Sequence, residues 1–195
     1  MNYFVLTTEA SAEGGLIEMY PDNSPKGWKF SKGQSLLPEF PKGAAVQFSD
    51  NFPDARKVFD FQTNTLQAFI ISPRVRKLLE SLEITNAEYL PVDIKDHKGQ
   101  VVGKGHAILN LLGAEDAIDL EKSVYRMDSI DKEQIDRIKQ LAVNHQALGP
   151  NAKMFRCSKK LRLVLIREDV LEAFKKEGLT GFKVYAAEGW KGLAL

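Results

Sequence analysis

The residues of this chain that could do chemistry are few: three histidines, a single cysteine and one glycine-lysine run, set among plentiful carboxylates. The run Gly99-Gln100-Val101-Val102-Gly103-Lys104-Gly105 has the composition of a phosphate loop. A phosphate loop needs four residues between its glycines, so that consecutive amides wrap the phosphates, and a serine or threonine after the lysine for magnesium. Here three residues separate Gly99 from Gly103 and glycine follows Lys104, so the run reads as a flexible hairpin. Cys157 has Arg156, Lys159 and Lys160 as neighbours, and cations lower a thiol pKa. Only four residues separate it from Arg162, where a tyrosine-phosphatase signature needs five, and no histidine base is close in sequence. A cysteine on a strand is ordinarily a small core residue. His97, His106 and His145 show no i, i+4 zincin spacing and no Cys-x-x-Cys accompanies them. No Gly-x-Ser-x-Gly elbow occurs either. The expectation is no catalytic residue, no metal and no cofactor.

Charge carries more information in its distribution than in its total. The 195 residues hold 27 bases and 26 acids, a net charge of +1, so no global field points to nucleic acid or an anionic membrane. Within Glu115 to Asp136, however, stand eight acids (Glu115, Asp116, Asp119, Glu121, Asp128, Asp131, Glu133, Asp136) and three bases, a local balance of −5. Lys153 to Arg162 holds five bases and no acid. An acidic surface can bind a basic partner and steer its approach, which makes Glu115, Asp116, Asp119, Glu121 and Asp128 the candidate partner-binding residues. The competing account is two solvated segments that neutralise each other across the fold. The basic segment has one aromatic, Phe155, and so lacks the interleaved stacking platform of a single-strand binder.

The elements that must position these residues are mixed. Residues 1–60 form a loop-rich region with five of the eight prolines; Tyr3 to Thr8 reads as a strand, paired with Leu16 to Tyr20 across a turn near Glu13-Gly14-Gly15. Residues 61–195 form the main body, and the whole is expected to be a single domain, 1–195. Ser72-Pro73 offers an N-cap with proline at the first helical position, before Val75, Leu78, Leu79 and Leu82 on one helical face. Leu90, Val92 and Ile94 alternate as a half-buried strand, with Pro91 requiring an edge or a bulge. Asp96 to Gly99 is a turn, and a second strand within Gln100 to Leu112 completes an antiparallel hairpin. For 135–143 the apolar period favours a helix, with Asp131 and Gln134 as a capping box, over a strand. Leu161 to Ile166 is a strand, Glu168 to Glu177 a helix closed by Gly178 and Leu179, and Phe182 to Ala186 a last strand. Without a regular βαβ rhythm the fold class is α+β: a mixed, mainly antiparallel sheet with a few amphipathic helices.

Composition sets the remaining bounds. With 44% hydrophobic and 27% charged residues, the chain is no collagen, no disordered polymer and no disulfide miniprotein. One cysteine permits no intramolecular disulfide. The longest apolar run near the start, Tyr3 to Leu6, is too short for a secretory segment, and no stretch approaches the roughly 20 apolar residues of a membrane helix. The expected location is the cytoplasm, without membrane association.

Four segments carry a resemblance: WKFSKGQSLL, ISPRVRKLLESLEITNAEYLPVDIKDHKGQ, HAILNLLGAEDAIDLEKSVY and MFRCSKKLRLVLIREDVLEAFKKEGLTGFKVY. In this order they are similar to the immunity protein eleven family of bacterial polymorphic toxin systems, over Trp28 to Tyr185. Gly103-Lys104-Gly105-His106 departs from the family's preference for an aromatic residue just before the Ile-Leu-Asn. The resemblance implies a protein that neutralises a cognate toxin domain by stoichiometric, non-catalytic binding. It implies no catalytic residues and no nucleic acid, and leaves a homo-oligomer open. The rivals are a small intracellular hydrolase and, behind it, a nucleic-acid-binding module using Lys153 to Arg162.

Overall fold

The computed structural model describes residues 1–192. In chain order its elements are β1 (Tyr3–Thr8), β2 (Ala45–Gln47), β3 (Phe69–Ile71), α1 (Pro73–Ser81), β4 (Ala87–Lys95), β5 (Val101–Leu111), β6 (Val124–Met127), β7 (Ile135–Gln140), β8 (Met154–Cys157), β9 (Lys160–Arg167), α2 (Glu168–Lys176) and β10 (Phe182–Ala186). Two short 3-10 turns, Gly27–Ser31 and Leu37–Glu39, interrupt the amino-terminal region. The class is α+β, as the mixed signals predict. One sheet runs β10-β1-β9-β8, entirely antiparallel; a second runs β2-β4-β5-β3, with only β2 and β4 parallel; β6 and β7 form a separate ribbon.

The layers follow from how each strand spends its apolar residues. Leu163, Val164, Leu165 and Ile166 are all buried, and a strand with four successive apolar side chains needs cover on both faces. Val164 and Ile166 join Leu6, Met154 and Leu109 in a core closed by Val75 and Leu79 of α1 and by Val170, Leu171 and Phe174 of α2. Leu163 and Leu165 face the opposite way, onto Tyr3, Val5, Phe155, Cys157, the ribbon residues Ile135 and Ile138, and Trp190. The second sheet repeats the arrangement: Leu90, Val92, Ile94 and Ile108 pack under Ile17, Phe30, Leu36, Phe40 and Phe48. The loop-rich amino-terminal region thus shares its core with β4 and β5.

Local chemistry explains the boundaries. Ser72 Oγ accepts from Val75 N at the start of α1, with Pro73 in the first turn. In α2, Glu168 and Asp169 open the first turn and Lys175 and Lys176 close the last, matching the helix dipole. Gly178 adopts a left-handed φ of 60°, and Leu179 N donates back to Phe174 O at 3.1 Å. Pro91 is exposed where β2 no longer covers β4: Asp93 N donates to Ala44 O at 3.0 Å, and two residues earlier no strand would receive the donor that proline lacks.

Two expectations are corrected. Leu16 to Tyr20 is not the partner of β1. Only Ile17 forms bridges there, to Phe48 and Asn64, and β1 pairs instead with β9 and β10 from the far end of the chain. Gly14 and Gly15 do not serve a hairpin turn: a Cβ on Gly15 would come within 2.2 Å of the Phe48 ring, and one on Gly14 within 2.7 Å of Phe59. Their small size admits neighbouring aromatic rings. The segment 135–143 is not a helix either. Ile135 to Gln140 is β7, and Gln134 N donates to Asp131 O at 3.0 Å in a turn rather than a capping box. The misleading period has a cause. Register shifts place an extra residue of β7 between Ile135 and Arg137 and another between Ile138 and Gln140. Each bulge returns the strand to the same face after three residues instead of two, so Ile135, Ile138 and Leu141 are all buried at a spacing that imitates a helix.

Candidate functional site

The acidic segment begins beside β8 and ends in the ribbon. Glu115 N donates to Arg156 O and Ser158 N donates to Glu115 O, both at 2.8 Å, so this residue's backbone extends the edge of β8. The Asp116 carboxylate accepts from Ser158 Oγ at 3.3 Å. Asp119 organises its own turn: Oδ1 accepts from Glu121 N and Lys122 N, and Oδ2 pairs with Lys122 Nζ at 2.7 Å. The Lys122 hydrogen bond holds the Asp119 carboxyl below the usual carboxylate range. Glu121 is exposed. Ser123 is structural, its Oγ donating to Ala142 O and accepting from Ala142 N.

The turn that joins β6 to β7 is the most organised exposed feature of this segment. Asp128 Oδ1 accepts from Ile130 N at 2.7 Å and from Asp131 N at 3.1 Å, and these amides hold its pKa below the usual value. Asp131 Oδ1 accepts from Glu133 N at 3.1 Å, while Gln134 Nε2 donates to Ser158 O at 2.9 Å and moors the turn to the β8–β9 connection. The outcome is a turn stiffened by two aspartate side chains, with Ile130 at its crest. Ile130 is 93% exposed.

Placement divides the five candidate acids. Glu115, Asp116 and Asp128 gather around Ser158-Lys159-Lys160, where the Glu133 bond and, behind it, the Asp116 charge raise the Lys159 pKa, while burial lowers that of Lys160 against the charges of Asp136 and Asp128. Asp119 and Glu121 sit on the separate turn that leads to Ser123. Among the described residues, one pairing draws on a base from outside the segment, Glu133 with Lys159 at 3.0 Å, while Asp119 meets Lys122 and Asp136 meets Arg126 within it.

The basic segment is engaged within the fold. Lys153 Nζ donates to Leu82 O at 2.8 Å. Lys160 Nζ donates to Ile135 O and Asp136 O. Arg162 Nη1 donates to Gln67 Oε1 at 2.7 Å. Arg156 is buried and donates to the carbonyls of Leu111, Phe30 and Leu161. Burial pushes its guanidinium pKa down to about 10. All five side chains of the segment therefore have protein acceptors, and Phe155 is in the core.

The remaining chemistry-bearing residues stay apart. Cys157 is fully buried and desolvation pushes its thiol pKa far up, the reverse of an activated nucleophile. His106 is buried over Gly103, and desolvation pushes its imidazole pKa down. His97 lies against Phe48 and His145 against Tyr3. Among the described residues, no group of three or more His, Cys, Asp or Glu side chains is placed to hold a metal ion. No helix among them is long and apolar enough to cross a membrane.

Ile130 is the residue that a charge count overlooks. Its signal is a lone apolar side chain in Asp128-Ser129-Ile130-Asp131-Lys132-Glu133, a sequence with no reason to bury it. Arg156 gives no such signal, because nothing in Met154-Phe155-Arg156-Cys157 says which carbonyls converge on it.

The model of the Immunity protein family (Imm11) matches residues 5–189. No curated protein matches the chain.

Proposed function

The chain belongs to the Imm11 immunity protein family, and on that premise we propose that it protects its cell by binding a cognate toxin domain stoichiometrically and without catalysis. The observation that carries the interface is the stiff β6–β7 turn with Ile130 almost fully exposed. Buried apolar anchors dominate interface energies, and surrounding polar contacts exclude water. A turn already ordered by Asp128 and Asp131 loses little conformational entropy on docking. In this reading Ile130 enters an apolar pocket of the toxin. Asp128 and Asp131 form the near rim, with Glu115, Asp116, Asp119 and Glu121 further out against basic residues that the toxin uses for its own substrate. The site of action is the cytoplasm, before the toxin reaches its target.

The test separates a blocker from a catalytic antidote. The full chain is used as bait in its native lysate, and the toxic domain of a multidomain protein retained at one-to-one stoichiometry is purified and titrated. A blocker abolishes toxin activity at one equivalent and not before. Neutralisation by a small fraction of an equivalent supports a hydrolase that reverses the toxin's modification. Full retention by Ile130→Glu refutes the assigned interface.

A further inference from the structure

Between the two four-stranded sheets, beside the 27–31 turn, lies a cavity of about 210 Å3 whose lining includes Arg156 and Arg162 but no aspartate or glutamate. Arg156 faces this space buried and without a counter-ion, which is unusual because a buried cation ordinarily has an anionic partner, and the exposed Arg162 brings a second guanidinium to it. Arg156 is only 7% exposed. Its Nε donates to Leu111 O at 3.0 Å, Nη1 to Leu161 O at 3.0 Å and Nη2 to Phe30 O at 2.8 Å. A guanidinium has five N–H groups, so two remain unspent, and among the described residues no carboxylate bonds to them. The carbonyl dipoles orient the group but leave its net charge in place.

Arg162 is held at the same cavity by an uncommon device. Its Nη1 donates to Gln67 Oε1, and Gln67 has a backbone φ of +55°. A glutamine in this region is strained, and such strain gathers at ligand clamps. Asn64 enforces it: Oδ1 accepts from Leu66 N and Ala68 N while Nδ2 donates to Ala68 O at 2.8 Å. The rest of the wall mixes apolar side chains with the small polar ones of Thr7, Thr8 and Ser31. Tyr20 stacks on Phe30 with ring centroids 4.1 Å apart and planes 15° from parallel, and Val164 lies in the lining with them.

We propose that this cavity binds a small aromatic carboxylate, whose carboxylate accepts from the unspent N–H groups of Arg156 and Arg162 and whose ring lies against the Tyr20–Phe30 pair. Arginine forks match a carboxylate in two-point geometry. The space is below the roughly 300 Å3 at which drug-sized pockets begin, so the ligand has on the order of ten non-hydrogen atoms. The site is separate from the toxin-facing turn and is tested on the isolated protein.

The probes are benzoate, its neutral isostere benzamide, benzylamine and inorganic phosphate, followed by titration calorimetry and by amide chemical shifts at Gln67, Ala68 and Arg162. Benzoate is expected to bind saturably with a Kd on the order of 1 mM or below, at least about tenfold tighter than benzamide, and to shift those amides. Benzylamine should not bind. Arg162→Gln, at an exposed position, should weaken benzoate about tenfold while leaving the melting temperature unchanged. Gln67→Gly, which relieves the positive φ, should keep or raise the melting temperature and still weaken benzoate. Equal binding of benzoate and benzamide, or no saturable binding, overturns the proposal and leaves Arg156 as a structural tie between three carbonyls. Phosphate binding better than benzoate overturns the assignment of an apolar carboxylate.

Discussion

Glu88 should act as a pH-dependent tie between the amino-terminal region and the second sheet. It stands on β4, 9% exposed, and its carboxylate accepts four hydrogen bonds. Leu36 N donates at 2.9 Å and Asn110 Nδ2 at 2.9 Å to Oε2; Ser35 Oγ at 2.5 Å and Leu37 N at 3.4 Å donate to Oε1. Glu88→Gln keeps the shape but replaces one acceptor by a donor. The least costly placement puts the amide nitrogen at the Oε1 position, where the Ser35 hydroxyl can turn to accept. Leu37 N is then orphaned, at a cost of about 1 kcal/mol for a long bond, and the two bonds at Oε2 lose their charge assistance, about 1 kcal/mol each. Relief of the buried charge offsets part of this, so the net loss should be about 2–3 kcal/mol, or about 5–10 °C in melting temperature for a chain of this size.

The pH dependence has a definite sign. Burial acts to raise the Glu88 pKa from 4.5, but the bonds from Leu36, Ser35, Asn110 and Leu37 outweigh it and hold the carboxyl below that value. The unfolded chain therefore takes up this proton first as pH falls. The Glu88 contribution is complete above the unfolded pKa and is lost as pH drops through the folded one. Urea unfolding of wild type and Glu88→Gln should show a full stability gap at neutral pH that narrows as pH falls below the unfolded value of 4.5 and through the lower folded one. A gap under about 0.5 kcal/mol at neutral pH, or one of constant size down to the acid limit, would refute the reasoning.

Three further outcomes follow from the same geometry. Gly181→Ala should cost about 3 kcal/mol or more in chemical denaturation, because φ is +82° and the new Cβ would lie 2.1 Å from Phe61 O, whereas Gly43→Ala, with φ +66° and open space, should cost only about 1 kcal/mol. The Cys157 thiol should react with a disulfide reagent only at the rate of global unfolding, measured across a urea series, since it is fully buried with a raised pKa; fast labelling in native buffer would contradict its placement. Against the identified toxin, Ile130→Glu should raise the dissociation rate about tenfold to a hundredfold with the urea midpoint unchanged, and reversal of Asp116, Asp119 and Glu121 to lysine should mainly slow association at low salt; unchanged kinetics in surface plasmon resonance would place the interface elsewhere.

The elements legible in the sequence are those whose signals are local. Ser72-Pro73 marks the start of α1, Gly178-Leu179 the end of α2, and Asp96 to Gly99 the turn of the β4–β5 hairpin, because cap and turn residues act on backbone groups a few positions away. What was illegible depends on residues far away along the chain. The partner of β1 is β10, some 180 positions later, and no pattern within Tyr3 to Tyr20 distinguishes it from a nearby strand. Gly14 and Gly15 look like a turn because close approach of a distant Phe59 or Phe48 selects the same residue type that a tight turn selects.

The charged segments show the same limit in a form that bears on function. A count along Glu115 to Asp136 finds a −5 surface, and a count along Lys153 to Arg162 finds a basic one, yet the β8–β9 connection inserts Lys159 and Lys160 among Asp116, Asp128, Glu133 and Asp136. One ion pair, Lys159 with Glu133, joins the two runs, and Lys122 and Arg126 pair with acids inside the acidic one, so the acidic run is not available in full to an outside partner. What remains available beside this reduced field is shape: a turn whose two aspartates are committed to backbone amides and whose one apolar side chain is almost fully exposed. An interface built on such a turn gains affinity from burying Ile130 and should lose little of it to added salt. A complex whose dissociation constant instead worsens by orders of magnitude between low and physiological salt would return the weight to Glu121 and the other acids, and would remove Ile130 from the centre of the contact.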